Sequence, residues 1–200
     1  ILVDNRPLPA SDKVRVWRYH KPPGLITTNK DPKGRPTIFE RLPPDLPRVI
    51  TIGRLDITSE GLLLLTNDGE LSRKLELPKT GWVRRYRVRV HGHIDQDRLS
   101  TLLKGITIDG TRYGSIQAQF ESKKKSNSWL DIRLREGKNR EIRRIMGYFG
   151  LKVTRLIRIS YGPFQLGNLR RGQTIELSGK IIREQISSPQ RSRYKASGSA

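Results

Sequence analysis

Two hundred residues leave room for one ordinary domain or two small ones, and a hydrophobic content of 34% suffices for a real core. Lys and Arg number 40 against 19 Asp and Glu, giving a net charge of +21 and a pI near 10.9, which points to a polyanionic partner, nucleic acid foremost. There is no cysteine, which excludes disulfides, zinc ribbons and thiol catalysis and fits a reducing, cytoplasmic compartment, and no apolar run reaches membrane length or forms a signal peptide.

The chain begins at Ile1 rather than Met and reads as a fragment. Residues 1–8 (ILVDNRPL) predict one strand and a turn, the end of an earlier unit. Residues 14–19 alternate Val14 and Val16 against Arg15 and Arg18 and predict a strand, after which Pro22-Pro23-Gly24 turns the chain. Residues 30–36 form a polar loop. Thr37 and Glu40 have capping-box spacing and open a short helix over 38–42. Residues 49–52 predict a short strand.

Leu62-Leu63-Leu64-Leu65 is too short for a membrane helix and is bounded by Gly61 and Asn67-Asp68-Gly69, so it predicts a strand buried on both faces. A helix over 70–77 follows, capped by Asn67 or Asp68. Residues 82–90 alternate, with Trp82, Tyr86, Val88 and Val90 on one face and Arg85, Arg87 and Arg89 on the other. Asp95 caps a helix that turns Leu99, Leu102 and Leu103 inward and stops at Gly105.

Strands over 106–108, 116–121 and 129–134 come next, the last two joined by a hairpin at 123–127 whose lysines read as a solvated tip. The best helix spans 139–149, with Ile142, Ile145, Met146 and Phe149 as its apolar stripe and Arg140, Arg143 and Arg144 as its basic side. Strands over 153–160 and 174–177 close the folded part. From Ser187 onward the composition is Ser, Gly, Arg and Lys, which predicts disorder. Short strands dominate and helices are few, so the fold class is α+β, a mostly antiparallel mixed sheet with a few flanking helices.

The chemistry concentrates between the two strands at 49–52 and 62–65, where a loop holds Arg54, Asp56 and Glu60. A carboxylate beside a buried sheet is costly to desolvate unless it is paired. Two further carboxylates nearby, Glu60 and Asp68, leave a glycosidase or metal-nuclease site conceivable, but Asp68 suffices as a turn residue and Glu60 as turn or supporting structure. His91 and His93 share one side of a strand, yet without a third clear ligand they predict no metal site.

Residues 53–69, GRLDITSEGLLLLTNDG, resemble the active-site motif of bacterial ribosomal RNA pseudouridine synthases of the RsuA type (RsuA/RluB-like), and a looser likeness runs to residue 177. The resemblance implies a synthase fold with a cleft between two subdomains. It divides the chain into a remnant of a small N-terminal RNA-binding domain of the ribosomal-protein S-four type (1–12), a catalytic domain (13–186) and a basic tail (187–200). It implies isomerisation of uridine to pseudouridine with neither metal nor organic cofactor.

Asp56 then stands at the position of the family's catalytic carboxylate, as nucleophile or base, and Tyr86 at that of the tyrosine that stacks on the flipped base. Arg84 stands two places before it, where the family commonly has Lys. Arg143 matches the arginine that pairs the Asp, with Arg140 as its rival. Leu156, an apolar residue sharing a strand face with Thr154 and Arg158, matches a residue that packs on the tyrosine. Arg54, Lys21, Arg85, Arg87, Lys138, Asn139, Arg140 and Arg144 are the expected RNA-binding residues. The partner would be ribosomal RNA, of the large subunit, the enzyme a monomer without membrane attachment. A non-catalytic RNA-binding or ribosome-assembly protein would share every basic feature but has no need of an Asp that repels phosphate.

Overall fold

Four consecutive leucines require cover on both faces, and strand β5 (Glu60–Thr66) receives it along its whole length, all seven residues being buried. The computed structural model describes residues 13–77, 80–124 and 126–187 together with the two-residue strands β1 (Leu2–Val3) and β2 (Arg6–Pro7). Those two pair antiparallel with each other. The remaining residues of the 1–12 segment and the tail 188–200 lie outside the described residues, as does Lys125.

The main sheet contains β3 (Val16–Lys21), β4 (Ile50–Ile52), β5, β6 (Arg84–His91), β9 (Ile116–Lys124), β10 (Asn127–Leu134), β11 (Lys152–Tyr161), β12 (Phe164–Gln165) and β13 (Thr174–Glu176). Its central path runs β13-β3-β5-β11-β6-β10-β9, with β4 paired to β5 and β12 to β11. Among these strands only β5 and β11 pair in parallel, through Glu60 and Gly61 opposite Ile157 and Arg158. The fold is the expected α+β class with a mostly antiparallel sheet. At that parallel contact Gly61 has φ +107, and a Cβ there would lie 2.3 Å from the Arg158 carbonyl oxygen, so no other residue lets β11 approach.

Two apolar layers sandwich the centre of the sheet. The front layer takes Leu63, Leu65, Tyr86, Val88, Leu130 and Ile145, and the rear layer Leu62, Leu64, Trp82, Ile157 and Phe164. Helix α1 (Gly69–Glu76) backs the rear at β4 and β5, capped by Asp68, whose Oδ1 accepts from Leu71 N at 2.6 Å. Asn67 is no cap, its Oδ1 accepting from Arg15 N. Helices α2 (Gln96–Ser100, capped by Asp95) and α3 (Glu141–Tyr148) cover the front against β9 and β11. Among the described residues, no helix is long and apolar enough to cross a membrane.

Several local expectations are corrected. The helix over 38–42 is a single 3-10 turn, Phe39–Arg41, and the Thr37 hydroxyl donates to the Glu40 carboxylate at 3.0 Å instead of capping a backbone N–H. Trp82 precedes β6 and belongs to the rear layer, edge-on to Tyr161 and Phe164. Leu103 sits exposed in a 3-10 turn. A strand absent from the sequence reading, β8 (Thr111–Tyr113), returns against β7 (Ile106–Ile108), and α4 (Gly179–Ser187) forms where the polar tail begins. Leu156 shares its strand face with Arg158, as expected, but that face is the one turned to the front apolar layer. A bulge between Val153 and Arg155 shifts the register on β6, so Val153 lies opposite Val90, Leu156 opposite Val88, and both pack into the front layer.

Candidate active site

The loop between β4 and β5 has few apolar residues to bury, and its backbone is held by side chains from distant parts of the chain. Leu55 is its apolar anchor, and Thr27 brackets it, its hydroxyl donating to Leu55 O at 2.8 Å. Lys21 Nζ, on a fully buried side chain, donates to Asp56 O at 3.2 Å, Ser59 O at 2.9 Å and Pro22 O at 3.0 Å. Arg158 reaches Arg54 O at 3.5 Å and Arg143 reaches Thr58 O at 3.3 Å. With the carbonyls tied from below, the Asp56 side chain projects upward, about a third exposed. Burial lowers the Lys21 ammonium from its usual 10.5 to about 8, against the pull of the Asp56 and Glu60 carboxylates.

Facing this loop is the segment that leads into α3. Arg140 caps that helix in the left-handed region, φ +51, a conformation that strains a residue with a Cβ. Its Nη1 lies 3.8 Å from Asp56 Oδ2. Glu141 reaches back to accept from Lys138 N at 2.9 Å; its carboxyl is pushed up by burial. The floor comes from the sheet, where Tyr86, Leu134 and Leu156 are nearly covered. At the rim, Arg35 donates through Nε and Nη2 to Asp31, outside the cavity lining, at 3.0 and 2.8 Å, and these bonds hold the Asp31 carboxyl down at about 2. Together these walls line a cavity of about 500 Å³, within the usual size range of ligand sites.

Of the expected site residues, Asp56, Tyr86, Leu156, Arg54, Lys138, Asn139 and Arg140 line this cavity. Two expectations need correcting, those for Lys21 and Arg143, and three further residues, Arg85, Arg87 and Arg144, lie outside the cavity. Lys21 is fully buried under the loop, where it positions Asp56's backbone and cannot reach RNA. Arg85 and Arg87 alternate with Tyr86 onto the opposite sheet face, paired with Asp131 and Glu121 at 2.5 Å. Arg143 does not form the ion pair with Asp56. Its guanidinium bonds Val153 O at 3.1 Å and Thr58 O, bracing helix to loop, while Arg140 is the arginine beside the carboxylate. Arg144 is exposed outside the cavity.

Glu60 proves to be the first residue of β5, almost fully buried. Arg155 Nε bonds one of its oxygens, and Arg171 lies 2.8 Å from the other without hydrogen-bond alignment. It is thus committed away from Asp56, as is Asp68 in its cap. The sequence reading missed Arg158, buried in the cavity wall with Nε on Leu62 O at 2.8 Å and Nη2 unpartnered among the described residues. It also missed the inward role of Arg84, which bonds Arg135 O at 2.5 Å and Tyr161 Oη at 3.3 Å. The parity that puts Arg84 on Tyr86's face was a signal available in the sequence. Among the described residues, no group of three or more His, Asp or Glu gathers as a metal site would.

The geometry has a known counterpart. Residues 15–148 match the RNA pseudouridylate synthase family profile. The chain belongs to that family. It is 54% identical over 172 residues to an uncharacterized RNA pseudouridine synthase of Rickettsia felis, covering 86% of this chain and 74% of that one. It is 41% identical to the ribosomal large subunit pseudouridine synthase B of Yersinia pestis, covering 83% of this chain and 53% of that enzyme. A crystal structure of a pseudouridylate synthase superposes with TM-score 0.75 at 26% identity, covering 87% of this chain and 74% of that one. The protein is therefore an RNA pseudouridine synthase, an enzyme that isomerises uridine in RNA, of the RsuA/RluB-like kind.

Proposed function

We propose that this synthase acts on ribosomal RNA of the large subunit, in the cytoplasm and as a monomer, with Asp56 as its catalytic carboxylate. The observation that carries the assignment is the loop at 54–59, whose carbonyls are tied by Lys21, Arg143 and Arg158 so that one carboxylate is presented, beside Arg140 and over Tyr86, in a cavity of about 500 Å³. Both walls come from one chain, so no second copy is needed to complete the site. The large-subunit relative and the +21 charge support the choice of RNA.

The target uridine leaves its strand and enters the cavity with its base against Tyr86 and Leu156. Asp56, beside Arg140, acts at the ribose as nucleophile or base. The N1–C1′ bond breaks, the uracil turns, C5 bonds to C1′, and the C5 proton leaves to solvent. The protein contributes position and fixed charge.

Asp56→Asn removes charge and nucleophilicity at nearly constant volume. Release of tritium from RNA labelled at uridine C5 should fall by about a thousandfold or more, with RNA affinity and melting temperature nearly unchanged. Activity within tenfold of the parent would overturn the assignment of Asp56. Mapping of pseudouridine across both ribosomal RNAs, with and without the gene, tests the large-subunit reading.

A further inference from the structure

The sheet is covered unevenly. Behind β3, β4 and β5 lie α1 and the rear apolar layer, but the rear of β6, β10 and β9 carries no helix among the described residues. What stands there is polar and basic. Arg85, Arg87 and Arg89 line up along β6, with Arg133, Asp131 and Trp129 directly across on β10, in register. Arg155 of β11 flanks Arg89 on the other side. The side chains of Arg85, Arg87 and Arg155 are 41–45% exposed, and Arg89 is exposed with no ion pair among the described residues.

Among the described residues, the row is opposed by the mostly covered Asp131 and the exposed Glu121, since Arg155's partner Glu60 is buried and shared with Arg171. Asp131 takes Arg85 on one oxygen and Arg133 on the other, and Glu121 takes Arg87 through Nε. The Arg87 guanidinium is further laid over the half-buried Trp129 ring, 4.5 Å from its centroid, with Arg155 at 5.8 Å.

We propose that this open rear face is a second RNA-binding surface, holding a single-stranded segment of the substrate RNA remote from the target uridine. Phosphates meet the arginine row, and an unpaired base stacks on Arg87 above Trp129. The proposal rests on the RNA-modifying reading but not on the assignment of Asp56. An open antiparallel sheet face with arginine planes and an aromatic ring is a platform for unpaired RNA. A protein partner would instead find little apolar surface to bury, because Trp129 is the one large apolar side chain among these paired positions of β6 and β10 and Arg87 already lies over it. Because the face is turned away from the cavity, a short hairpin held in the cleft cannot span both sites, whereas a long RNA can.

The test uses Arg87→Gln/Arg89→Gln/Arg133→Gln and, in case that variant is misfolded, Arg89→Glu alone. Binding to a long ribosomal RNA fragment and to a short hairpin bearing the target uridine is measured as a function of salt. The triple variant should bind the long RNA about tenfold or more weakly, and its salt slope should fall by about two, at roughly 0.7 per lost phosphate contact. Hairpin binding should stay within twofold, and Arg89→Glu should show the same selectivity at smaller size. Equal losses for both RNAs, or no change in affinity and slope for the long one, would overturn the proposal. So would an arginine row protected from chemical modification by a second copy or a protein and not by RNA. Failure of Asp56→Asn to abolish activity would leave this result untouched.

Discussion

The cleft wall that carries Asp56 and the wall that carries Arg140 are held by different means. Along residues 54–59, Arg158, Lys21 and Arg143 each fix a carbonyl from a distant element. Across the cavity, Lys138, Asn139 and Arg140 are exposed, Arg140 has strained backbone, and its contact with Asp56 is a half-exposed pair at 3.8 Å. On the proposed assignment, the first wall is pre-organised for chemistry and the second meets a substrate that arrives with its own charge. Rigidity is concentrated where the reacting atom must be placed within an ångström, and strain where a phosphate-bearing ligand can relieve or exploit it.

Loosening the rigid wall should have the largest effect. Lys21→Met leaves the Asp56 and Ser59 carbonyls without their donor and should lower turnover about a hundredfold and stability by about 2 kcal/mol. Tritium release and thermal melts would read both. The same residue sets a pH signature. Its folded pKa of about 8 lies below the unfolded 10.5, so between these values the unfolded chain holds more protons and stability should rise with pH. Melts from pH 8 to 10 should show the rise in the parent and lose it in Lys21→Met.

Arg143→Ala, which severs the brace between α3 and the loop, should cost about 1–2 kcal/mol and reduce activity less than Lys21→Met. Arg140→Gly separates stability from function. Glycine tolerates φ +51, so the melting temperature should rise, by roughly 1 kcal/mol in stability, while activity falls. A fall in both would mean that Arg140 holds the fold as well as the site. The smallest effect belongs to the ion pair itself. A double-mutant cycle of Asp56→Asn with Arg140→Gln should give a coupling below about 1 kcal/mol, because both side chains face water.

Much of this was legible in sequence, for local reasons. The leucine run had to be a doubly covered strand, alternation in β6 separated Tyr86 from its arginines, and Asp68 and Asp95 marked helix starts with their own side chains. That Asp56 and Tyr86 line one cavity was legible because Asp56 stands in a nearly contiguous motif and the sheet period of two sets Tyr86 apart from its arginines.

Pairings between segments far apart in the chain were not legible. Whether Arg140 or Arg143 meets Asp56 depends on a left-handed residue at the start of α3, and whether Val153 shares a face with Leu156 depends on a bulge in β11. Lys21 looks like any basic residue of an RNA-binding protein until the chain turns back over it and buries its amine beneath the loop. Composition and period state which groups are present and which faces exist. Only tertiary packing decides which cation supports the carboxylate from below and which waits in the open, because desolvation and direction are properties of the assembled site.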